Sequence, residues 1–171
     1  MKTERIDQMI ELTTKMVEDT WEELQSLDFK HIDSLIEEFS TEQPYVLAYL
    51  MATGSDILTE EDRETLVFMG LITWKVISGN EKEVPVVNDQ LLVTKEEANM
   101  AMLDYLAGEP EAEFMNTVDL IMNKYSQGEF LRFIIHKIAS QKESAPSPTR
   151  DNVGIVVIYL KTVIDCFDEV V

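Results

Sequence analysis

Two histidines and a single cysteine are the residues of this 171-residue chain best suited to metal binding or acid–base chemistry. Asp28 and His31 have the i, i+3 spacing of carboxylate-bridged di-metal bundles, but such a site needs a second Glu-x-x-His element and two further carboxylates. The chain lacks that second element. His136 lies one helical turn from Arg132, and a cation beside an imidazole opposes metal binding. We therefore expect no metal site, with Asp28 acting as a helix cap.

Cys166 shares a predicted helix face with Tyr159, Val163 and Val170. Such surroundings are typical of a small buried hydrophobe rather than of an activated thiolate. The sequence also contains no Gly-x-Ser-x-Gly, no Gly-rich phosphate loop and no His-Glu-x-x-His. It therefore assigns no catalytic residue and no cofactor, and it favours a protein that is not an enzyme.

Acidic side chains on the first predicted helix form the candidate binding site. They lie along one face, at Glu4, Asp7, Glu11, Glu18 and Glu22. Like charges four residues apart destabilise a helix by about 0.2–0.5 kcal/mol per pair. A solvated face that serves solubility is the simpler interpretation, and a docking face for a basic partner is the functional alternative.

The whole chain is strongly acidic, with 33 Asp and Glu against 14 Lys and Arg and a net charge of −19. Such a surface repels phosphate backbones and anionic membranes, so we expect neither nucleic acid nor membrane as a partner. The apolar content of 45% indicates a folded chain rather than a disordered one. The first residues lack the apolar core of a secretory signal, and one cysteine fits a reducing compartment, so we expect a cytoplasmic protein.

The charge is unevenly distributed along the chain. Residues 1–64 contain 17 acidic and five basic side chains, whereas residues 124–150 contain five basic and two acidic ones. The basic segment could meet the acidic first helix, either within one chain or across a homodimer.

Hydrophobic periodicity predicts one all-α domain over 1–171, a bundle of about seven helices packed around 44–53, 60–78 and 152–170. The first helix is predicted over 4–26, and a capping box of Thr94 and Glu97 predicts another helix start. Residues 84–93 favour a short hairpin or an extended crossover, and a Pro/Ser-rich loop at 143–150 precedes the last helix. The last helix has a narrow polar face, made of Lys161, Thr162, Asp165, Asp168 and Glu169.

Three functions fit these observations. The first is a protein-interaction or self-associating structural module, with a homodimer as the expected assembly. The second is an acidic neutraliser of a basic protein, in the manner of an immunity protein or antitoxin, in which charge accelerates association. The third is a small-ligand or metal-binding helical enzyme whose site is assembled from separate helices.

Overall fold

The computed structural model describes residues 9–142 and 152–171, and over these ranges the chain is helical with no strand. The predicted all-α bundle is confirmed. The eight helices of these ranges are α1 (Thr14–Ser26), α2 (Phe29–Glu42), α3 (Pro44–Ala52), α4 (Glu60–Asn80), α5 (Asp89–Ala107), α6 (Glu111–Lys124), α7 (Gly128–Lys142) and α8 (Val153–Val170). The predicted loop at 143–150 lies outside the described residues.

The first helix is shorter than the periodicity predicts, because residues 9–13 are not helical. The buried side chain of Gln127 accepts the N–H of Leu12 at 2.9 Å and donates to the carbonyl of Ile10 at 3.0 Å. These bonds use backbone groups that a helix would need for itself. Thr13 then caps the helix that follows.

A hairpin at 84–93 is wrong, because residues 89–93 already belong to α5 and residues 83–88 are neither helix nor strand. Here the buried side chain of Gln43 holds the backbone. It donates to the carbonyl of Pro85 at 2.9 Å and accepts the N–H of Val87 at 3.0 Å. The segment therefore crosses the bundle as an extended link.

The predicted helix start at Thr94 is also wrong. Asn88 is the N-cap of α5, and its side chain accepts the N–H of Leu91 at 2.8 Å. Thr94 lies inside the helix, where its hydroxyl donates to the carbonyl of Gln90. Asn and Thr are both good caps, and the bonds made by Gln43 to the preceding segment select the earlier one.

The core is centred on α4 and α8, which pack against each other, with α1 and α3 on α4 and with α5 and α7 on α8. Its largest fully buried side chains include Trp74, Phe39, Phe130 and Phe167. The Phe39 and Trp74 rings stack at 4.9 Å. Full burial of each such side chain contributes about 1.5–3 kcal/mol. Because α4 and α8 carry many of the buried apolar residues, these two helices supply much of the stabilising apolar contact. None of the helices in the described ranges is long and apolar enough to cross a membrane.

Candidate binding site

The predicted acidic face is not one helical stripe. Glu4 and Asp7 lie outside the described residues, and Glu11 belongs to the non-helical segment that precedes α1. Only Glu18 and Glu22 occupy the helix, where both are exposed. Glu11 is therefore not part of a helix, so the sequence-based prediction that it pairs with Asp7 across one helical turn does not hold for it.

Helix α7 lies against α1. Part of the basic segment 124–150 therefore contacts part of the acidic segment 1–64 within one chain. An open groove of about 690 Å³ runs between them. Glu11 and Glu18 line it from one side, and Arg132, His136 and Lys137 line it from the other. Because charges of both signs face the same solvent-filled groove, they compensate each other and leave little net field for a charged partner.

Asp28 caps α2 as predicted. Its Oδ1 atom accepts the N–H of His31 at 3.0 Å and lies 2.6 Å from the Nδ1 atom of the same residue. These hydrogen bonds hold the pKa of Asp28 below its usual range. In the ranges that the structure describes, no three His, Cys, Asp or Glu side chains are grouped so that they could hold a metal ion.

Cys166 is fully buried on α8. Burial, together with the neighbouring carboxylate of Asp165, raises the pKa of the Cys166 thiol to about 12. A thiol with that pKa is protonated at neutral pH and is a poor nucleophile. The sequence-based interpretation of a small buried hydrophobe therefore agrees with its surroundings.

A second cavity has a different character, and we call it the second-half pocket. It lies between α5, α6, α7 and α8 and has a volume of about 310 Å³. The surface that the described residues expose in it is apolar. Its walls include Leu103 and Leu106 of α5, Phe114 and Val118 of α6, and Val157 of α8.

A buried polar network lies beside this pocket, at the contact between α5 and α8. The ammonium of Lys161 donates to Asn99 Oδ1 at 2.9 Å and to Asp165 Oδ2 at 2.7 Å. The Asn99 amide donates to Thr162 Oγ1 at 3.1 Å and to Asp165 Oδ2 at 2.9 Å. From the end of α6, the Tyr125 hydroxyl donates to Asp165 Oδ1 at 2.7 Å.

The network joins the helices that line the pocket rather than opening into it. The Lys161 ammonium also lies 4.5 Å from the centre of the Tyr125 ring, within the range of a cation–π contact. Burial and the carboxylate of Asp165 raise the pKa of Tyr125 far above its usual value. Because the ammonium is neutralised by a carboxylate and both are hydrogen-bonded, the group serves to hold α5 and α6 on α8.

The sequence predicts a narrow polar face on the last helix that includes Lys161 and Thr162, and the structure buries both of these residues. The available signal was a lysine followed four residues later by Asp165 in an otherwise apolar helix. Such an i, i+4 pair can be buried when further hydrogen bonds satisfy it. The polar residue that completes it, Asn99, lies on another helix and could not be paired from sequence.

The helices that line the second-half pocket differ in charge: α7 carries Arg132 and Lys137, which line the groove along α1, whereas the neighbouring part of α5 and α6 is acidic. Residues 102–122 contain five acidic side chains and no Lys or Arg. Asp104, Glu113 and Asp119 are exposed, and Asp119 lies 3.8 Å from the guanidinium of Arg132. Apolar walls with acidic flanks are suited to a ligand that has both an apolar face and positive charge.

Comparison with protein-family models, with curated proteins and with solved structures finds no match for this chain.

Proposed function

We propose that this protein is a non-catalytic interaction module that binds a basic amphipathic helix of another protein. The apolar side chains of that helix enter the second-half pocket, and its Lys and Arg side chains face the surrounding carboxylates. One observation carries the proposal: an apolar cavity of about 310 Å³ is flanked by a segment with five acidic residues and no basic one.

The apolar wall supports an apolar anchor. A helix that lies in a groove inserts side chains spaced three and four residues apart, and their burial supplies most of its affinity. The described wall of the pocket offers no hydrogen-bond partner, so a polar group placed there would lose its bonds to water without replacement. Leu, Ile, Met or Phe side chains are therefore the favoured occupants.

The net charge supports a basic partner. A charge of −19 attracts cations over a longer range than any single ion pair, which accelerates association and makes it depend on salt. The exposed carboxylates of Asp104 and Glu113 lie on the two helices that form one wall of the pocket, and Asp119 of the same wall is paired with Arg132. This arrangement supports the predicted basic protein partner, and we propose that the partner binds at the second-half pocket rather than at the first helix.

The groups near the pocket argue against chemistry as its purpose. The Lys161 ammonium is engaged with Asp165 and Asn99, and burial keeps the hydroxyl of Tyr125 and the thiol of Cys166 protonated. Groups that hold each other in a closed network have little freedom to act as acid, base or nucleophile. Binding without reaction is the use that remains for the pocket.

A synthetic Leu/Lys amphipathic peptide of about 14 residues, carrying a fluorescent label, tests the proposal. We expect its fluorescence anisotropy to rise on titration with the protein, and we expect affinity to fall as NaCl is raised from about 50 mM to about 500 mM. A Leu/Glu peptide of the same length should not bind, because its charge has the same sign as that of the protein.

Gly154→Leu provides the decisive variant. Gly154 lines the pocket on α8, and a Cβ atom there meets no described atom within 4 Å, so we expect a leucine to fit without a clash and to narrow the mouth of the pocket. Gly79→Leu is the matched control, because that Cβ is equally free but lies at the far end of α4. We expect about a tenfold loss of affinity in the first variant and none in the control. Equal affinity in the two variants would contradict the proposal, as would binding of a neutral dye such as N-phenyl-1-naphthylamine without binding of the peptide.

A further inference from the structure

The two halves of the chain pack in the same order. In α1–α4 the first helix contacts the fourth, the second contacts the third, and the third contacts the fourth, and the same pairs recur in α5–α8; the halves differ in that α2 also contacts α4 and α5 also contacts α6. The contacts between halves are reciprocal, since α3 touches α5, α7 touches α1, and α4 touches α8. Reciprocal contacts of this kind are what a two-fold axis produces.

The two buried glutamines follow the same relation. Gln43, before α3, bonds the segment that precedes α5, and Gln127, before α7, bonds the segment that precedes α1. Each accepts the N–H of the residue just before an N-cap, Val87 or Leu12, and each donates to a carbonyl two residues earlier. Each half therefore holds the other by the same pair of hydrogen bonds.

The central helices identify the axis. When Asp62 of α4 is matched with Asn152 at the start of α8, buried and less buried positions follow the same order to Gly79 and Glu169, except that Val67 and Phe68 are half-buried. The Asn152 amide donates to Asp62 Oδ2 at 2.8 Å. Matched positions of two halves contact each other only near the axis that relates them.

A second apolar groove follows from this relation, and we call it the first-half groove. It lies between α2 and α4, has a volume of about 300 Å³, and exposes an almost wholly apolar surface. Ile32 and Ile36 line it from α2, and Val67, Phe68 and Leu71 line it from α4.

When the two halves are matched helix by helix, the residues that line the first-half groove correspond to residues that line the second-half pocket. The α4 residues correspond to three residues of α8 with identical spacing, Val157, Ile158 and Lys161. Helices α2 and α6 have the same length, and aligning their first residues matches Ile32 and Ile36 with Phe114 and Val118 of α6. The groove and the pocket are therefore the same feature of two related halves.

The first-half groove is flanked by acidic residues too. Helix α2 carries four exposed carboxylates and one lysine, and two of the carboxylates, Glu38 and Glu42, line a separate cavity beside Lys75. Arg63 lines the groove, but its guanidinium donates to the carbonyls of Leu50 and Thr53 at the end of α3. These hydrogen bonds fix the position of Arg63 but leave its positive charge, so the lining of the groove holds one cation and one carboxylate, Glu64, and the acid excess comes from α2.

We infer that each chain binds two copies of the same basic amphipathic segment, one in the second-half pocket and one in the first-half groove. This inference rests on the proposed function. A partner that presents the segment twice, as a two-fold symmetric dimer does, would occupy both sites at once. The first-half groove is the weaker site, because fewer residues line it and the side chain of Glu64 stands where the other half has Gly154.

Binding stoichiometry tests the inference on the full chain. Isothermal titration with the Leu/Lys peptide should give two peptides per chain with unequal affinities, and Gly154→Leu should leave one weaker site. Ile32→Ser, which removes an apolar wall of the first-half groove, should leave only the stronger one. Phe29→Ser is the matched control on the same helix, since Phe29 is 91% exposed and does not line the groove.

Two peptides joined by a flexible Gly/Ser linker of about 40 residues, which spans roughly 35 Å, provide the second measurement. We expect the joined pair to bind at least about tenfold more tightly than one peptide, and either Gly154→Leu or Ile32→Ser to abolish that gain. A single site that Gly154→Leu removes would overturn the inference and leave the proposed function standing. No binding of either peptide to the unmodified protein would overturn both.

Discussion

Replacing Gly70 with alanine has two opposing effects on stability where α3 packs against α4: a gain in helix propensity and a steric overlap with Leu50. Alanine in a helix interior is favoured over glycine by about 1 kcal/mol. A Cβ atom at this position, however, would overlap Cδ1 of Leu50. Leu50 is fully buried, so its side chain cannot turn into solvent to make room. Overpacking of this kind costs about 1–3 kcal/mol, so we expect a net loss of stability of about 0–2 kcal/mol.

Two other glycines separate the steric cost from the helical preference. Gly79 and Gly154 also lie in helices, and a Cβ atom at either meets no described atom within 4 Å. We expect alanine at these positions to be neutral or to stabilise the protein by up to about 1 kcal/mol. The difference between either variant and Gly70→Ala therefore measures the steric term, about 1–3 kcal/mol.

A double variant tests whether Leu50 is the residue responsible. Leu50→Ala alone should cost about 2–5 kcal/mol, as expected for a large-to-small change in the core. In the Gly70→Ala background its cost should be smaller by the steric term, because the side chain that it removes is the one that is crowded. Urea unfolding, followed by the fluorescence of Trp21 and Trp74, gives the four free energies provided that the slopes agree. If Gly70→Ala stabilises the protein as much as Gly154→Ala does, the close approach of the two helices is refuted.

Three further outcomes can be measured in the same way. Gln43→Ala and Gln127→Ala should each cost about 2–4 kcal/mol in urea unfolding, because each leaves a backbone donor and a carbonyl without their partner. Lys161→Met should cost about 3–5 kcal/mol, whereas replacing Asn99, Lys161 and Asp165 together with leucine should cost less, since no unpaired charge remains. Cys166 should react with Ellman's reagent at pH 8 only after unfolding; because its folded pKa of about 12 lies above the ordinary 9.0, thiol ionisation should lower stability as pH rises from 9 toward 12.

Helix positions set by neighbouring residues could be predicted from the sequence. Asp28 and Thr59 cap α2 and α4, and both caps are visible as short local patterns. The starts of α1 and α5 could not be predicted, because they depend on Gln127 and Gln43, which lie far from them along the chain. Local propensity is compatible with helix at 9–13 and with either of two N-caps for α5. Hydrogen bonds from distant glutamines determine the structure at both places.

The relation between the two halves was hidden from the sequence for a similar reason. It is expressed in burial and in backbone hydrogen bonds rather than in residue identity. Leu24 of α1 corresponds to Asn99 of α5, since both are buried on the face that meets the fourth helix of their half, and Leu71 corresponds to Lys161. Because apolar residues of one half match polar residues of the other, the amino-acid sequences of the two halves show no detectable repeat.

That difference shows what the fold itself requires at the α5–α8 contact. In the first half the corresponding positions hold Leu24 and Leu71, both buried and apolar, and α1 still packs on α4, so no polar group is needed there to hold two such helices together. A buried ion pair is seldom more stabilising than apolar residues of similar size. Lys161 and Asn99 therefore contribute orientation rather than strength: their hydrogen bonds fix α5 and the end of α6 relative to α8 at the edge of the second-half pocket. An apolar contact permits sliding, whereas a closed set of directed bonds holds one spacing, and we propose that this fixed spacing preserves the shape of the second-half pocket.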